Sequence, residues 1–484
     1  MTICFKGNSC KYEIEAVMKL FLPLEAFEFI FDEDAPEGDK AVISKENTDG
    51  GFRLTCDVVC GGKHIVKSGE TADEGSCELI LCQLLYNIMS EITGIVPEWG
   101  CLTGIRPVKK VNALLDEGCN KGEIFAKLKG KYFTSDRKLE LAYQTAVTQK
   151  KYFDSLDRRS FSLYISIPFC PSRCSYCSFV SHSIESSGAK KLLPEYVKML
   201  CGEIEQTAHI ADELGLHADT IYIGGGTPTS LSAEQLEAVM GAVKKSFDIS
   251  KIREYTVEAG RSDTITAQKL EVIKKNGATR ISVNPQTMND NVLKAIGRRH
   301  SAQDVIDAYR LARRLGFDNI NMDTIAGLPT DTPDGFRHTI DTLCGLDPES
   351  ITIHTLTVKR SSALFGQDNI NVDSRISDMV NYGQSALGER GYLPYYLYRQ
   401  KNTVDNLENV GYAKDGFECL YNIYIMEEAQ TILAMGAAGS TKLVNPDTGK
   451  IERLFNYKFP YEYISRHEKM LEKKQKIYTF YENL

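Results

Sequence analysis

YISIPFCPSRCSYCSF, running from Tyr164 to Phe179, is the stretch on which the reading of the fold turns. Leu163, Ile165 and Ile167 alternate onto one face, the period of a β-strand. Directly after that strand, Cys170, Cys174 and Cys177 stand in a C-x3-C-x2-C arrangement on a loop that carries Pro171, Ser172, Arg173 and Ser175. Three thiolates so close together can share one iron–sulfur cluster, but a [4Fe–4S] cluster normally takes four. One iron is then left open to an outside ligand. A structural zinc site fits less well, because it needs a fourth Cys or His at short spacing and the nearest candidate, His182, lies in a Ser-rich segment. Disulfides require an oxidising compartment, and three neighbouring cysteines cannot all pair.

From this loop outward the chain alternates strand and helix. Strands are predicted at Ser162–Pro168, Asp219–Gly224, Glu254–Ala259, Thr279–Asn284, Asn319–Ala326 and Ser350–Val358. Amphipathic helices are predicted between them, at Leu192–Leu214, Ala233–Phe247, Ala267–Asn276, Ala302–Leu315 and Pro333–Cys344. Ser232 with Gln235 reads as a capping box, and Gly277 and Gly316 stand where a helix-ending left-handed residue belongs. Strands each followed by a helix imply parallel pairing through right-handed crossovers. The fold class is therefore α/β, a partial (βα)6 TIM-like barrel with its chemistry at the C-terminal strand ends. The unusual residues do cluster there. Gly224–Thr229 (GGGTPT) follows the second strand, Glu258 ends the third, Gln286 follows the fourth, and Asp323 interrupts the apolar fifth. A carboxylate in a buried strand is costly unless something pairs with it.

Residues 1–158 read as a separate α+β domain, 159–385 as the barrel, and 386–484 as a mixed C-terminal domain. Within the first, Lys11–Phe29 has helical character and Gly50–Ser68 reads as a hairpin turning at Gly61-Gly62. Ala72–Ile92 carries an apolar helical stripe, and Ser135–Phe153 a further helix. CLTGIRPVKK, Cys101–Lys110, is a turn with a basic patch of Arg106, Lys109 and Lys110, read as solvated or as an anion or domain contact. Cys56 and Cys60 lie in a strand-like run and read as small buried hydrophobes rather than ligands. Tyr461–Tyr481 reads as one charged helix covering the C-terminal domain.

Composition sets the outer limits. The 484 residues are 42% hydrophobic and 25% charged, with a net charge of −8. An acidic chain lacks the basic excess of a nucleic-acid footprint. Its apolar runs fall short of the roughly 20 residues that span a bilayer, and no secretory signal is apparent at the N-terminus. A cytoplasmic protein with reduced cysteines is expected.

C-x3-C-x2-C after a strand, followed by GGGTPT, resembles the radical S-adenosylmethionine (SAM) superfamily. YISIPFC, YIGGGTPT, TVEA, RISVNPQTMNDNVLKAIGRRH and DTIAGLP resemble its oxygen-independent coproporphyrinogen III oxidase group. GIRPVKK and LYRQKNTVDNLENVGYA resemble the HemZ-type coproporphyrinogen dehydrogenases within that group. The resemblance implies that Cys170, Cys174 and Cys177 hold a [4Fe–4S] cluster whose open iron is chelated by SAM. It implies SAM contacts for Tyr164, Tyr176, Gly225, Gly226, Thr227, Glu258, Gln286, Arg298 and Asp323. It further implies a radical SAM oxidoreductase that oxidatively decarboxylates coproporphyrinogen III in haem biosynthesis, fed by a flavodoxin or ferredoxin. A substrate with four propionates calls for cations, and Lys359, Arg360, Arg399 and Lys401 are the candidates. Two departures matter. Phe179 stands where the best-understood decarboxylases carry a fourth Cys, as it does in the haem chaperones resembling HemW. Those chaperones also carry a His-Asn pair where this chain reads Cys419-Leu420-Tyr421-Asn422. A haem-binding carrier and another radical SAM reaction on a tetrapyrrole stay open as alternatives.

Overall fold

A computed structural model describes residues 1–23, 25–33, 36–104, 106–154, 156–179, 181–359, 361–364, 375–400 and 403–484. The chain forms two compact units, one of Met1–Tyr143 with Arg399–Leu407, the other of Gln144–Tyr398 with Glu408–Leu484. The division thus falls at Tyr143 rather than at 158, and most of residues 386–484 belongs with the barrel strands instead of standing apart.

The first unit holds strands β1 (Thr2–Lys6), β2 (Glu28–Phe31), β3 (Lys40–Thr48), β4 (Gly51–Cys60) and β5 (Lys63–Thr71), ordered β2-β1-β3-β4-β5. Its helices are α1 (Lys11–Phe21), α2 (Cys77–Thr93), α3 (Val108–Asp116) and α4 (Lys121–Tyr132). The long helix α5 (Asp136–Phe153) then runs on into the second unit. The expected hairpin is β4–β5, and both turn glycines take positive φ, 56° and 77°, as a primed turn requires. The expected helix over 11–29 stops at Phe21, because Pro23 disfavours helical backbone just before it; β2 follows. Ile14, Val17, Met18 and Phe21 of α1 join Leu81, Leu85, Ile88 and Ile92 of α2 in one core over the sheet. Cys56 and Cys60 are both buried members of that core, as expected of small hydrophobes.

The second unit is built on an 11-stranded sheet. Six strands match the expected ones: β6 (Ser160–Ile167), β9 (His217–Gly225), β10 (Glu254–Gly260), β11 (Arg280–Val283), β12 (Ile320–Ala326) and β13 (Ser350–Thr355). Between β6 and β9 lie the two-residue pair β7 (Phe169–Cys170) and β8 (His182–Ser183) and helix α6 (Ser187–Glu213). Helices α7 (Ala233–Ser246), α8 (Ala267–Lys275), α9 (Asp290–Ala295), α10 (Ala302–Arg314) and α11 (Pro333–Leu346) make the crossovers. Local sequence explains their ends. Ser301 and Asp304 close a capping box at the start of α10, where Val305, Ala308, Tyr309 and Ala312 form the buried stripe, and Gly316 at φ 80° ends it.

The six strands pair in parallel, and a seventh joins them. After α12 (Ile376–Glu389), β14 (Leu393–Arg399), β15 (Glu408–Ala413) and α13 (Leu420–Glu427) comes β16 (Thr431–Met435), which lies parallel to β6 with Ala434 opposite Tyr164. β17 (Ser440–Val444) and β18 (Ile451–Phe455) extend that edge, and β15 pairs antiparallel with β13 at the other. The expected single helix over 461–481 is three: α14 (Pro460–Ser465), α15 (His467–Lys473) and α16 (Gln475–Glu482). The break at Arg466, with φ −123°, lets two distant side chains reach the same buried acid on α6. Tyr463 donates to Glu203 at 2.6 Å and Lys474 pairs with it at 3.0 Å. Among the described residues no helix is long and apolar enough to cross a membrane.

Candidate functional site

The cysteine loop is held at the C-terminal end of β6. Cys170 sits in β7, whose partner β8 returns hydrogen bonds from His182 to Pro168 and from Ile184 to Cys170. Cys174 and Cys177 follow in a turn closed by Cys177 N–H on the Cys174 carbonyl at 3.1 Å. The loop leans on the end of α9, where Ser175 N–H donates to Ile296 and the Ser172 hydroxyl to Gly297. Cys170 and Cys174 are buried and Cys177 is half-buried. Burial pushes the Cys170 thiol up and the Cys177 thiol up to about 11. Thiols in that state are weak nucleophiles until a metal takes the proton's place. Among the described residues no three His, Cys, Asp or Glu side chains gather as the ligands of one metal ion. A cluster makes a different demand, one thiolate for each of three separate irons.

The glycine run at the end of β9 makes the adjoining wall. Gly226 N–H donates to Ile167 and Thr227 N–H to Phe169, so this backbone lies directly against the cysteine loop. A Cβ on Gly226 would stand 2.6 Å from the Phe169 carbonyl oxygen and 3.0 Å from the Cys170 sulfur. Only glycine fits. Gly225 has φ 112°, and a Cβ on Gly224 would stand 3.1 Å from the Glu258 carboxyl carbon. The Thr227 hydroxyl lies 3.4 Å from Cys170 Sγ.

The next strand ends supply a polar floor. Tyr222 donates to Glu258 at 2.5 Å, and burial pushes the Glu258 carboxyl up to about 7, with the neighbouring Asp323 adding to the rise. Burial also acts to raise Asp323, but His354 Nε2 at 3.9 Å and Asn321, donating at 2.7 Å, outweigh it and hold that carboxyl below its ordinary range. Gln286 takes φ 69°, a conformation that costs a non-glycine residue about 1 kcal/mol or more. It is held there by its N–H on Asp323 and by Ile325 N–H and the Thr324 hydroxyl on its own carbonyl. Arg298 is buried, donating to the Asn284 carbonyl at 2.5 Å and to the Tyr176 hydroxyl at 3.2 Å. Tyr164 stacks with Tyr222 and Tyr421, ring centres 6.3 and 6.0 Å away. Tyr421 reaches that position because Glu254 accepts the N–H groups of Leu420 and Tyr421 at the start of α13.

These residues fit an iron–sulfur cluster with a polar adduct. Ser175 Oγ, Ser282 Oγ, Asn284 Oδ1 and Arg298 Nε are buried without a partner, although buried polar atoms are nearly always satisfied. Beside them stand three thiols and a glycine cradle that a Cβ would fill. Of the four predicted substrate cations, Lys359 lies by this loop, since Ser361 just beyond it accepts from Arg173 and donates to the Ser178 carbonyl at 3.1 Å. Burial lowers the pKa of Lys359, against the pull of the nearby Cys177. Arg399 is engaged in the first unit, donating to the Leu102 and Asn406 carbonyls with its guanidinium 5.5 Å from the Trp99 ring centre. Arg360 and Lys401 lie outside the described residues.

Residue-by-residue reading missed His354, Tyr421 and Arg261. His354 and Arg261 stand at or just beyond strand ends, where the barrel rule points. Tyr421 comes from α13, and no local pattern connects it to β9.

The family model described as the radical SAM superfamily matches residues 164–343. The oxygen-independent coproporphyrinogen-III oxidase-like protein HemZ of Bacillus subtilis is 42% identical over 396 residues, 81% of this chain and 79% of that protein. The heme chaperone HemW of the same organism is 33% identical, over 62% of this chain and 77% of its own. Coproporphyrinogen III oxidase (HemN) from Escherichia coli shares the fold, with a TM-score of 0.52 at 20% identity over 67% of this chain and 73% of that one. A [4Fe–4S] cluster and SAM are thus the cofactors, and the chain is a radical SAM oxidoreductase. With a strand-end cysteine loop, a glycine cradle and relatives of this likeness, the chain belongs to the radical SAM superfamily and, within it, to the HemZ-type branch of the oxygen-independent coproporphyrinogen-III oxidase-like proteins.

Proposed function

We propose that this protein converts propionate side chains of coproporphyrinogen III to vinyl groups by oxygen-independent oxidative decarboxylation, toward protoporphyrinogen IX in cytoplasmic haem biosynthesis. The observation that carries the reading is Lys359. Its ammonium is half-buried beside the cysteine loop, and no hydrogen bond or ion pair to it is present among the described residues. A partly desolvated cation without a partner is costly, and a ligand carboxylate would satisfy it. Its neighbourhood to Cys177 suits a propionate held close to the reacting centre.

Bound at this site, the cluster and SAM supply a radical that takes hydrogen from an unactivated carbon, chemistry no side chain performs. The chain's own residues do the rest. Cys170, Cys174 and Cys177 are the cluster ligands in this reading. Gly225, Gly226 and Thr227 would let SAM approach the backbone, Asp323 would accept from its hydroxyl groups, and Glu258, Gln286, Arg298, Tyr176 and Tyr164 would complete its surroundings. A small low-potential donor of the flavodoxin or ferredoxin class supplies the electron.

A haem carrier is the second reading, favoured by the likeness to HemW and by Phe179, which is 63% exposed beside the cluster loop. Cys419 gives it no support: its thiol is fully buried and donates to Glu254 at 3.2 Å. Anaerobic reconstitution followed by SAM, dithionite and coproporphyrinogen III tests the two together. Vinyl product with 5′-deoxyadenosine is the expected result; stoichiometric haem binding without decarboxylation would sink the first reading.

A further inference from the structure

Arg261, just beyond β10, is 3% exposed and binds two things at once. Its Nε and Nη2 grip the two oxygens of Asp263 at 2.9 and 2.6 Å. Its Nη1 donates to the Ser172 hydroxyl at 2.8 Å and to the Ser172 carbonyl at 3.2 Å. Ser172 lies between Cys170 and Cys174. Behind Asp263 stands His300, buried, with Nδ1 3.6 Å from Oδ1. Burial works to raise Asp263, but His300 and Arg261 outweigh it and hold the carboxyl well below its ordinary range, so the fork stays charged. An arginine serving only to neutralise Asp263 has no need of Ser172. This one reaches past its own ion pair to the middle of the ligand loop, and its charge favours the thiolate of Cys170.

Two consequences follow from elementary electrostatics. A bidentate pair fixes the guanidinium plane, so the loop is pinned in position before any iron arrives. The potential of an iron–sulfur cluster depends on the charge and hydrogen bonding around it. A permanent cation in a partly dry site stabilises the form that has gained an electron. We propose that Arg261, oriented by Asp263 and His300, is a positioning residue of the cluster: it anchors the cysteine loop through Ser172 and raises the potential at which the cluster accepts its electron. Nothing in this depends on which substrate the enzyme takes.

The test uses the full-length chain, reconstituted anaerobically with iron and sulfide, as wild type, Arg261→Gln, Arg261→Lys and Asp263→Asn. Iron per chain is measured, and the midpoint potential is read from a dithionite titration followed by the electron paramagnetic resonance signal of the reduced cluster. Arg261→Gln is expected to hold a cluster with its midpoint moved to a more negative potential, and Arg261→Lys, which keeps the charge, to recover most of that shift. Wild-type iron content with an unchanged midpoint in Arg261→Gln overturns the proposal, since a merely structural arginine leaves the potential alone. If Arg261→Gln holds no cluster, Asp263→Asn decides. Reduced iron content or a moved midpoint supports the anchoring role, and wild-type values for both overturn it.

Discussion

Tyr222 donates to Glu258 at 2.5 Å across the parallel pair β9 and β10. The carboxyl is nevertheless raised to about 7, because burial outweighs the single hydrogen bond. Its folded pKa exceeds the unfolded value of 4.5, so the folded protein holds the extra proton between those two values. Stability at this site is therefore greatest below about pH 4.5 and is lost as pH rises through about 7. The loss is about 3 kcal/mol, at 1.36 kcal/mol per pK unit. Asp323 shifts the other way, and its effect falls below pH 4, outside this window. Urea unfolding of the apoprotein at pH 5 and pH 8 should show a fall for wild type that Glu258→Gln reduces; equal pH dependence in both would refute the assignment.

Gly226 leaves no room for a side chain. A Cβ there meets the Phe169 carbonyl at 2.6 Å and Cys170 Sγ at 3.0 Å, and neither is the free end of a flexible chain. Gly226→Ala should cost about 1–3 kcal/mol by overpacking and push the cysteine loop outward. Iron content after reconstitution should drop well below that of Gly241→Ala, where nothing lies within 4 Å. Equal iron in both variants would contradict this.

Glu203 carries the C-terminal helices. It accepts from Gly436 N–H and Asn456 at 2.8 Å each and from Tyr463 at 2.6 Å, and it pairs with Lys474, which is itself buried. Lys474→Met leaves a buried charge without its cation and should cost about 3–5 kcal/mol. The double variant Glu203→Gln with Lys474→Met should be the less destabilised of the two. Chemical denaturation measures both, and a single variant within 1 kcal/mol of wild type would show that the pair is not coupled to folding.

Lys359→Ala removes the half-buried ammonium but none of the residues facing the cofactors. On the proposed reading its KM for coproporphyrinogen III should rise by roughly tenfold or more, the worth of one charge-assisted hydrogen bond. Formation of 5′-deoxyadenosine without substrate should stay near the wild-type rate. An unchanged KM would remove Lys359 from the substrate site.

Each of the three cysteines changed to Ser should abolish the reconstituted cluster's visible absorbance, whereas Cys344→Ser, buried on α11, should keep it. Retention of a full cluster by any of the three single variants would mean that another residue serves as ligand.

The order of strands and helices was legible because each signal is local. Ser232 caps α7 three residues before Gln235, and Gly316 ends α10, whatever the rest of the chain does. The helix expected over 11–29 ran too far because its apolar pattern continues past Pro23 into β2, where neighbouring strands decide the conformation. The single C-terminal helix was an error of the same kind. Its periodicity is continuous, but Glu203, far earlier in the chain, draws in both Tyr463 and Lys474.

What the sequence determined by itself is the cysteine loop and the barrel behind it, since three thiols, a glycine run and the strand–helix alternation act over a few residues each. The tertiary structure alone decided that Thr431–Met435 adds a seventh parallel strand beside β6. It also brought Tyr421 beneath the site by way of Glu254, and joined Arg261 to the middle of the cysteine loop. Those contacts join residues 89 to 270 positions apart, and they hold only because burial makes an unpaired charge or an open strand edge too costly to leave.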